Sequence, residues 1–288
     1  MHRSLWAGVA LACLSVLVLS RPSPALVVAA APVPDRVAMA DMVVVGKISA
    51  IEDKTVMAKR FPGAPEKTEF KVALIQIADP LKGAKGLTHV RLGFVPQVAP
   101  PAPQPGLPRI GGGFNRFPQL NHQVGQEALF FLTKSADGDF HLAQNYFDVV
   151  EKKNGNFEQE LTQAKNAAKL MDDPMVGLKS KDADERLMTA SMLLTKYRTP
   201  KAGANNPKTE AVDAETSKLI LEAIAGGDWT RQGRAQVSPQ MVFMRLNLNA
   251  KDGYNPPKFK DYQKEFPAYA QQWLKDNTGK YRVQRFVP

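Results

Sequence analysis

The apolar positions of this chain change period once. Between about residues 40 and 150 they come in short runs and alternations, the pattern of strands. Met42-Val43-Val44-Val45-Gly46-Lys47-Ile48 is rich in β-branched residues, and Gly46 within it predicts a bulge or a close backbone approach. Phe70 to Ile77 is apolar on both faces, as in a strand of a closed barrel, and Asp79-Pro80-Leu81-Lys82-Gly83 predicts a turn after it. Val90, Leu92 and Phe94 alternate with His89, Arg91 and Gly93, which gives a half-buried strand. Glu127 to Leu132 is another buried run. Asp137-Gly138 predicts a hairpin into Phe140-His141-Leu142, and Tyr146 to Val150 reads as a last strand.

From Asn156 onward the period becomes 3.6. Asn156 is a candidate cap for a helix that buries Phe157, Leu161, Ala164, Ala168 and Met171, and Asp173-Pro174 ends it. Asp182 and Glu185 open the next helix in capping-box fashion, with Leu187, Ala190, Ser191, Leu194 and Tyr197 along one stripe. Asp213 starts a third helix closed by Gly226-Gly227, and Ser238-Pro239 starts a fourth through Phe243 and Leu246. A fifth runs from about Ala268 to Asn277, closed near Gly279. Strands followed by helices predict an α+β chain, divided between Lys152 and Asn156 into segments 35–153 and 154–288.

Three pieces of the first segment carry a resemblance. They are Ala40 to Ile48, Phe70 to Gly83 ending in Pro80-Leu81-Lys82-Gly83, and Glu127-Ala128-Leu129-Phe130-Phe131-Leu132. In order and spacing they resemble the netrin-like module, the fold of the tissue inhibitors of metalloproteinases. That resemblance implies a small Greek-key, OB-like β-barrel over 35–153. Those inhibitors act through an N-terminal cysteine, which this chain lacks after processing, so their activity is not implied. In the second segment, Leu178 to Arg186 followed by Ala190 and Leu193-Leu194 is similar to one unit of a HEAT-type helical repeat.

The N-terminus changes the expected location. His2 and Arg3, the uncharged apolar run Leu5 to Ser20, and Ala29-Ala30-Ala31 read as a signal peptide over residues 1–31. The protein is then exported, periplasmic or extracellular. An uncleaved anchor, or lipidation of Cys13 after the lipobox-like Val9-Ala10-Leu11-Ala12, is the route by which it would touch a membrane. Cys13 is the single cysteine, so cleavage leaves a chain with no disulfide and no thiol nucleophile. Removing Arg3 and Arg21 takes 38 basic residues to 36 against 28 acidic ones, a net charge of +8 in place of +10. That balance suits an anionic polymer as partner, or solubility alone.

Chemistry-bearing motifs are sparse. His2, His89, His122 and His141 show no metal-binding spacing, and no nucleophile elbow, P-loop, dinucleotide fingerprint or specific nucleic-acid motif occurs. The sequence implies no catalytic residues, cofactor or metal. Segment 96–126 interrupts the β pattern with seven prolines and Gly111-Gly112-Gly113. Its end interleaves Arg109, Phe114, Arg116, Phe117 and His122, either as a contact surface of a barrel or as rings folded over it beneath solvated arginines. The C-terminal stretch from Lys251 holds eight basic and four acidic residues. In it Lys280, Arg282 and Arg285 alternate with Tyr281, Val283 and Phe286, as a basic face or a docked tail. The reading these features favour is an exported, non-enzymatic binding protein for an anionic polymer or an envelope protein. A carboxylate-based hydrolase of extracellular polymers and a structural envelope-assembly protein are the alternatives.

Overall fold

The computed structural model describes residues 30–95, 121–200, 203–204, 206–231 and 236–287. Its order is α1 (Val33–Met39), β1 (Met42–Ile51), β2 (Val56–Lys59), β3 (Lys67–Lys82), β4 (His89–Phe94), β5 (Glu127–Lys134), β6 (His141–Leu142) and β7 (Val149–Glu151). Then come α2 (Phe157–Asp172), α3 (Pro174–Leu178), α4 (Ala183–Arg198), β8 (Thr209–Ala211), α5 (Ala214–Ala225), α6 (Pro239–Arg245), α7 (Tyr262–Asn277) and β9 (Gln284–Phe286). The fold is mixed α+β, with the larger sheet preceding most of the helices.

In that sheet β1 pairs antiparallel with both β3 and β5. β3 pairs with β4, β4 runs parallel to β6, and β6 returns to β5, so the path closes on β1. β1 and β5 are apolar on both faces because both faces are covered. Val44, Ile48, Phe130 and Leu132 pack inward with Ile75 and Leu92. Val43, Leu129 and Phe131 on the opposite face pack with Val33 and Val37 of α1, Ala164 and Ala168 of α2, and Met192 of α4. The other helices enclose a separate core around Leu187, Leu194, Ile220, Phe243, Phe266 and Trp273.

Gly46 marks both a bulge and a close approach. The β1–β3 register shifts between Val45 and Gly46, and a Cβ at Gly46 would lie 2.5 Å from Ile75 Cγ2 and 2.7 Å from Gln76 O. Five local expectations need correction. The last strand is only Val149–Glu151, because Tyr146–Asp148 form a 3-10 turn held by the Asn145 and Asp148 side chains. Asp79 to Lys82 is not a turn, because β3 continues to Lys82 with Pro80 paired opposite Val44. The Asn156 side chain does not cap α2 but donates to Glu160 Oε1 at 2.6 Å. Glu185 does not complete a box with Asp182. It accepts a hydrogen bond from Ser180 Oγ at 2.6 Å, while Asp182 accepts from Asp184 N at 2.8 Å. Helix α7 begins at Tyr262, ahead of Pro267, because Asp261 caps it, and the helix carries Pro267 in its second turn at the loss of one backbone hydrogen bond.

Helix α1 was not foreseen. Pro34 stands in its first turn, where a missing N–H costs nothing. The Asp35 carboxylate is 3 % exposed and receives Arg245 in a two-pronged pair, Nη1 at 2.8 Å and Nη2 at 2.6 Å. Ser191 and Thr195 hydroxyls donate to Oδ1 at 2.9 and 3.1 Å. Arg36 lies with its guanidinium 4.4 Å from the Phe131 ring centroid, and donates to Glu160 and to Phe147 O. Lys82 Nζ closes the far end, donating to Val37 O and Ala40 O at 2.6 Å each and to Ala38 O at 3.3 Å.

A buried carboxylate that loses its only cation keeps its desolvation cost. Arg245→Met is therefore expected to lower unfolding stability by about 3–5 kcal/mol, and the double variant Asp35→Leu/Arg245→Met to regain most of it. Urea denaturation of both checks this. A double variant no more stable than Arg245→Met would contradict it.

Candidate binding face

Four of the residues singled out in the sequence, Arg109, Phe114, Arg116 and Phe117, lie outside the described residues. The other four lie in separate places, three of them with partners. His122 is buried, its Nδ1 is 3.0 Å from Gln126 Oε1, and its ring meets Phe94 edge-on with centroids 5.0 Å apart. Its Nε2 has no hydrogen-bond partner. Burial pushes the His122 pKa below 6.5, against the smaller opposing effects of the Gln126 hydrogen bond and the Glu151 charge. Arg282 Nη1 donates to the carbonyls of Gly279, Lys280 and Tyr281 at 3.1, 3.4 and 3.2 Å, and so closes the turn after α7. Arg285 pairs with Glu210 at 2.6 Å across β8 and β9, the pairing that docks the tail. Lys280 is exposed, with no ion pair among the described residues.

Exposed positive charge gathers instead on the stretch leading into α7. Lys251, Lys258 and Lys260 are exposed and have no ion pair among the described residues. Lys264 is also exposed and lies 3.4 Å from Asp261. The acids of the same stretch turn to helix starts. Asp252 accepts from Asn249 N at 3.0 Å and Asn249 Nδ2 at 2.7 Å. Asp261 accepts from Lys264 N at 3.3 Å, and Glu265 from Lys260 N at 3.3 Å and Asp261 N at 3.0 Å. Backbone donors at a helix start have no partner within the helix, so these carboxylates are held there and the ammonium groups face water.

Aromatic rings run through the same stretch. Tyr262 stacks on Phe266 with centroids 4.8 Å apart and planes 22° from parallel, and Phe259 meets Tyr262 edge-on at 5.6 Å. Behind them Phe266, Phe243 and Trp273 continue into the helical core. Tyr262 nevertheless keeps 44 % of its surface exposed, beside Met244, whose Sδ is 3.9 Å from the phenol oxygen. A ring held from behind and open in front, flanked by ammonium groups, can stack on a ligand's ring and attract its negative charge. The signal was present in the alternation Lys258-Phe259-Lys260-Asp261-Tyr262. The same basic–aromatic alternation recurs at the far end of the stretch, in Lys280 to Phe286, where the arginines have partners.

Burial chiefly, with the Asp252 charge second, pushes the Tyr281 phenol up to about 12, so it stays neutral where it packs on Trp273. Among the described residues no group of three or more His, Cys, Asp or Glu is placed to hold a metal ion. No family model matches the chain, and no curated protein matches its sequence.

His122 sets a pH dependence. Below pH 6.5 the unfolded chain binds a proton that the folded histidine resists, so stability falls as pH drops from there toward the depressed folded value. The urea midpoint is expected to be lower at about pH 5 than at about pH 7.5, and His122→Gln to shrink that difference. An undiminished difference in the variant would assign the effect to other groups.

Proposed function

We propose that this protein is an exported, non-enzymatic binding protein whose partner is an anionic polymer of the cell envelope or extracellular space. The observation that carries this reading is the separation of charge before α7. Carboxylates are turned to backbone donors, and Lys251, Lys258 and Lys260 are left outward beside an open Tyr262 ring. Exposed lysines without acidic partners along one segment attract a polyanion from solution and hold it by releasing counterions, while the ring gives stacking contact. Export rests on the signal-peptide features of residues 1–31.

Two finer readings of the fold accompany this proposal. We take the closed path β1–β3–β4–β6–β5 as an OB-type barrel. Its five-strand order, with a parallel pair between β4 and β6, supports this. We take α4 as a HEAT-type helix. Its support is Arg186, whose Nη1 reaches back to Ser180 O at 2.8 Å and Lys181 O at 3.0 Å.

The test is a titration with alginate, an anionic polysaccharide, across a salt series, with uncharged dextran as control. Binding should weaken steeply with salt, and Lys258→Ala/Lys260→Ala should lower affinity roughly tenfold and flatten the salt slope. Tyr262→Ala should lower affinity and leave the slope unchanged. Equal binding of dextran, or release of reducing ends from alginate, would overturn the proposal.

A further inference from the structure

Where α2, α3 and α4 meet, the surface is concave. The groove holds about 550 Å³, within the size range of small-ligand clefts. Leu170, Met175 and Val176 supply its apolar wall, and Val176 remains 66 % exposed. Gly177 keeps α3 close to α4. A Cβ there would come 2.4 Å from Thr189 Oγ1 and 3.1 Å from Leu170 Cδ2.

The rim carries both signs of charge. Lys169 and Asn166 on α2 have no side-chain hydrogen bond or ion pair among the described residues, whereas Lys179 is held by Glu215 at 2.7 Å. Asp173 gives one carboxylate oxygen to Val176 N at 3.3 Å, and Glu185 gives one to the Ser180 hydroxyl. The second oxygen of each has no hydrogen-bond partner among the described residues. A polyanion suited to the Tyr262 face would meet these two acids here, so the groove selects for a different ligand.

We infer that the groove binds a short apolar peptide with free termini. Its ammonium group meets Asp173 and Glu185, its carboxylate meets Lys169 and Asn166, and its side chains cover Leu170, Met175 and Val176. The size of the groove argues for a dipeptide over a single amino acid, because about 550 Å³ with three apolar side chains on its wall is more space than one amino-acid side chain fills.

The test is calorimetric titration of the purified protein with leucyl-leucine, its N-acetylated form and its C-terminal amide, with backbone NMR shifts to locate the site. Free leucyl-leucine is expected to bind saturably and to shift residues 166–185. Each capped form should bind at least about tenfold more weakly. Lys169→Gln should remove the preference for the free carboxylate and keep the preference for the free ammonium. Val176→Asp should abolish binding. Both side chains are exposed, so both variants keep the fold, and unchanged NMR spectra elsewhere in the chain verify it. No saturable binding at millimolar dipeptide, or capped forms that bind as tightly as the free one, would overturn the inference. Neither result bears on alginate binding at Tyr262.

Discussion

The docking of α1 ties the sheet to α2, α4 and α6, beside the direct packing of α2 on the same sheet face. A seven-residue helix has no stability of its own in water, so it exists here because its surroundings hold it. Val33, Val37 and Ala38 fill the space between the outer face of β1 and β5 and the helices α2 and α4. Its two charged side chains point into the protein, not away from it. Asp35 reaches Arg245 on α6 and two hydroxyls on α4, and Arg36 reaches Glu160 on α2. Removing a carboxylate and a guanidinium from water costs several kcal/mol per ion, which offsets most of their mutual attraction. The pair therefore adds less net stability than its short distances suggest. It is demanding in position, because a shift of one residue along α1 would turn Asp35 away from Arg245 and leave both charges uncompensated.

The same economy of polar groups shapes the surface. Helix starts leave backbone N–H groups without partners, and this chain assigns Asp173, Asp182, Asp213, Asp261 and Ser238 to them. A carboxylate oxygen held at a cap is one that does not pair with a nearby lysine, although the second oxygen of Asp261 still lies 3.4 Å from Lys264. Before α7 the consequence is local and strong, since Asp252, Asp261 and Glu265 all serve backbone donors. Lys82 shows the reverse case. Three carbonyl acceptors at the end of α1 make it a structural cap, and burial first, with the nearby Lys196 charge second, lowers its pKa.

Much of the fold was legible because local rules and global packing agree there. Asp213 and Ser238-Pro239 are caps in the structure as in the sequence, and Asp182 begins α4. Some failures arose because packing overrode a local signal, and others because a polar side chain took a different near neighbour, as Asn156 did with Glu160 and Glu185 with Ser180. Pro267 argued for a helix starting after it, but Asp261 and the Tyr262–Phe266 stack hold the turn before it. Asp79-Pro80 argued for a turn, but β3 stays paired with β1 through Lys82, with register shifts absorbed on either side of Asp79 and Pro80, and the chain leaves the sheet at Gly83. Gly83 has φ +67°, and a Cβ there would sit 2.2 Å from Asp41 O. Helix α1 was illegible because nothing within residues 32–40 reveals that Arg245 and Glu160 await its charges. For the binding face, aromatic–basic alternation pointed to residue type but not to place. Arg282 and Arg285 looked as free as Lys258 and Lys260 until the structure showed their carbonyl and Glu210 partners.

The span of these contacts also orders the folding. Asp35 and Arg245 are separated by 210 positions, and Arg36 and Glu160 by 124. Contacts so distant in sequence form late, because the entropy of closing the intervening loop must be met before they contribute. The strand pairings β1–β3 and β3–β4 are nearer in sequence and need neither α1 nor the helices. A chain with this arrangement can build its sheet first, with the outer face of β1 and β5 still open. It closes that face when α6 is present to receive Asp35.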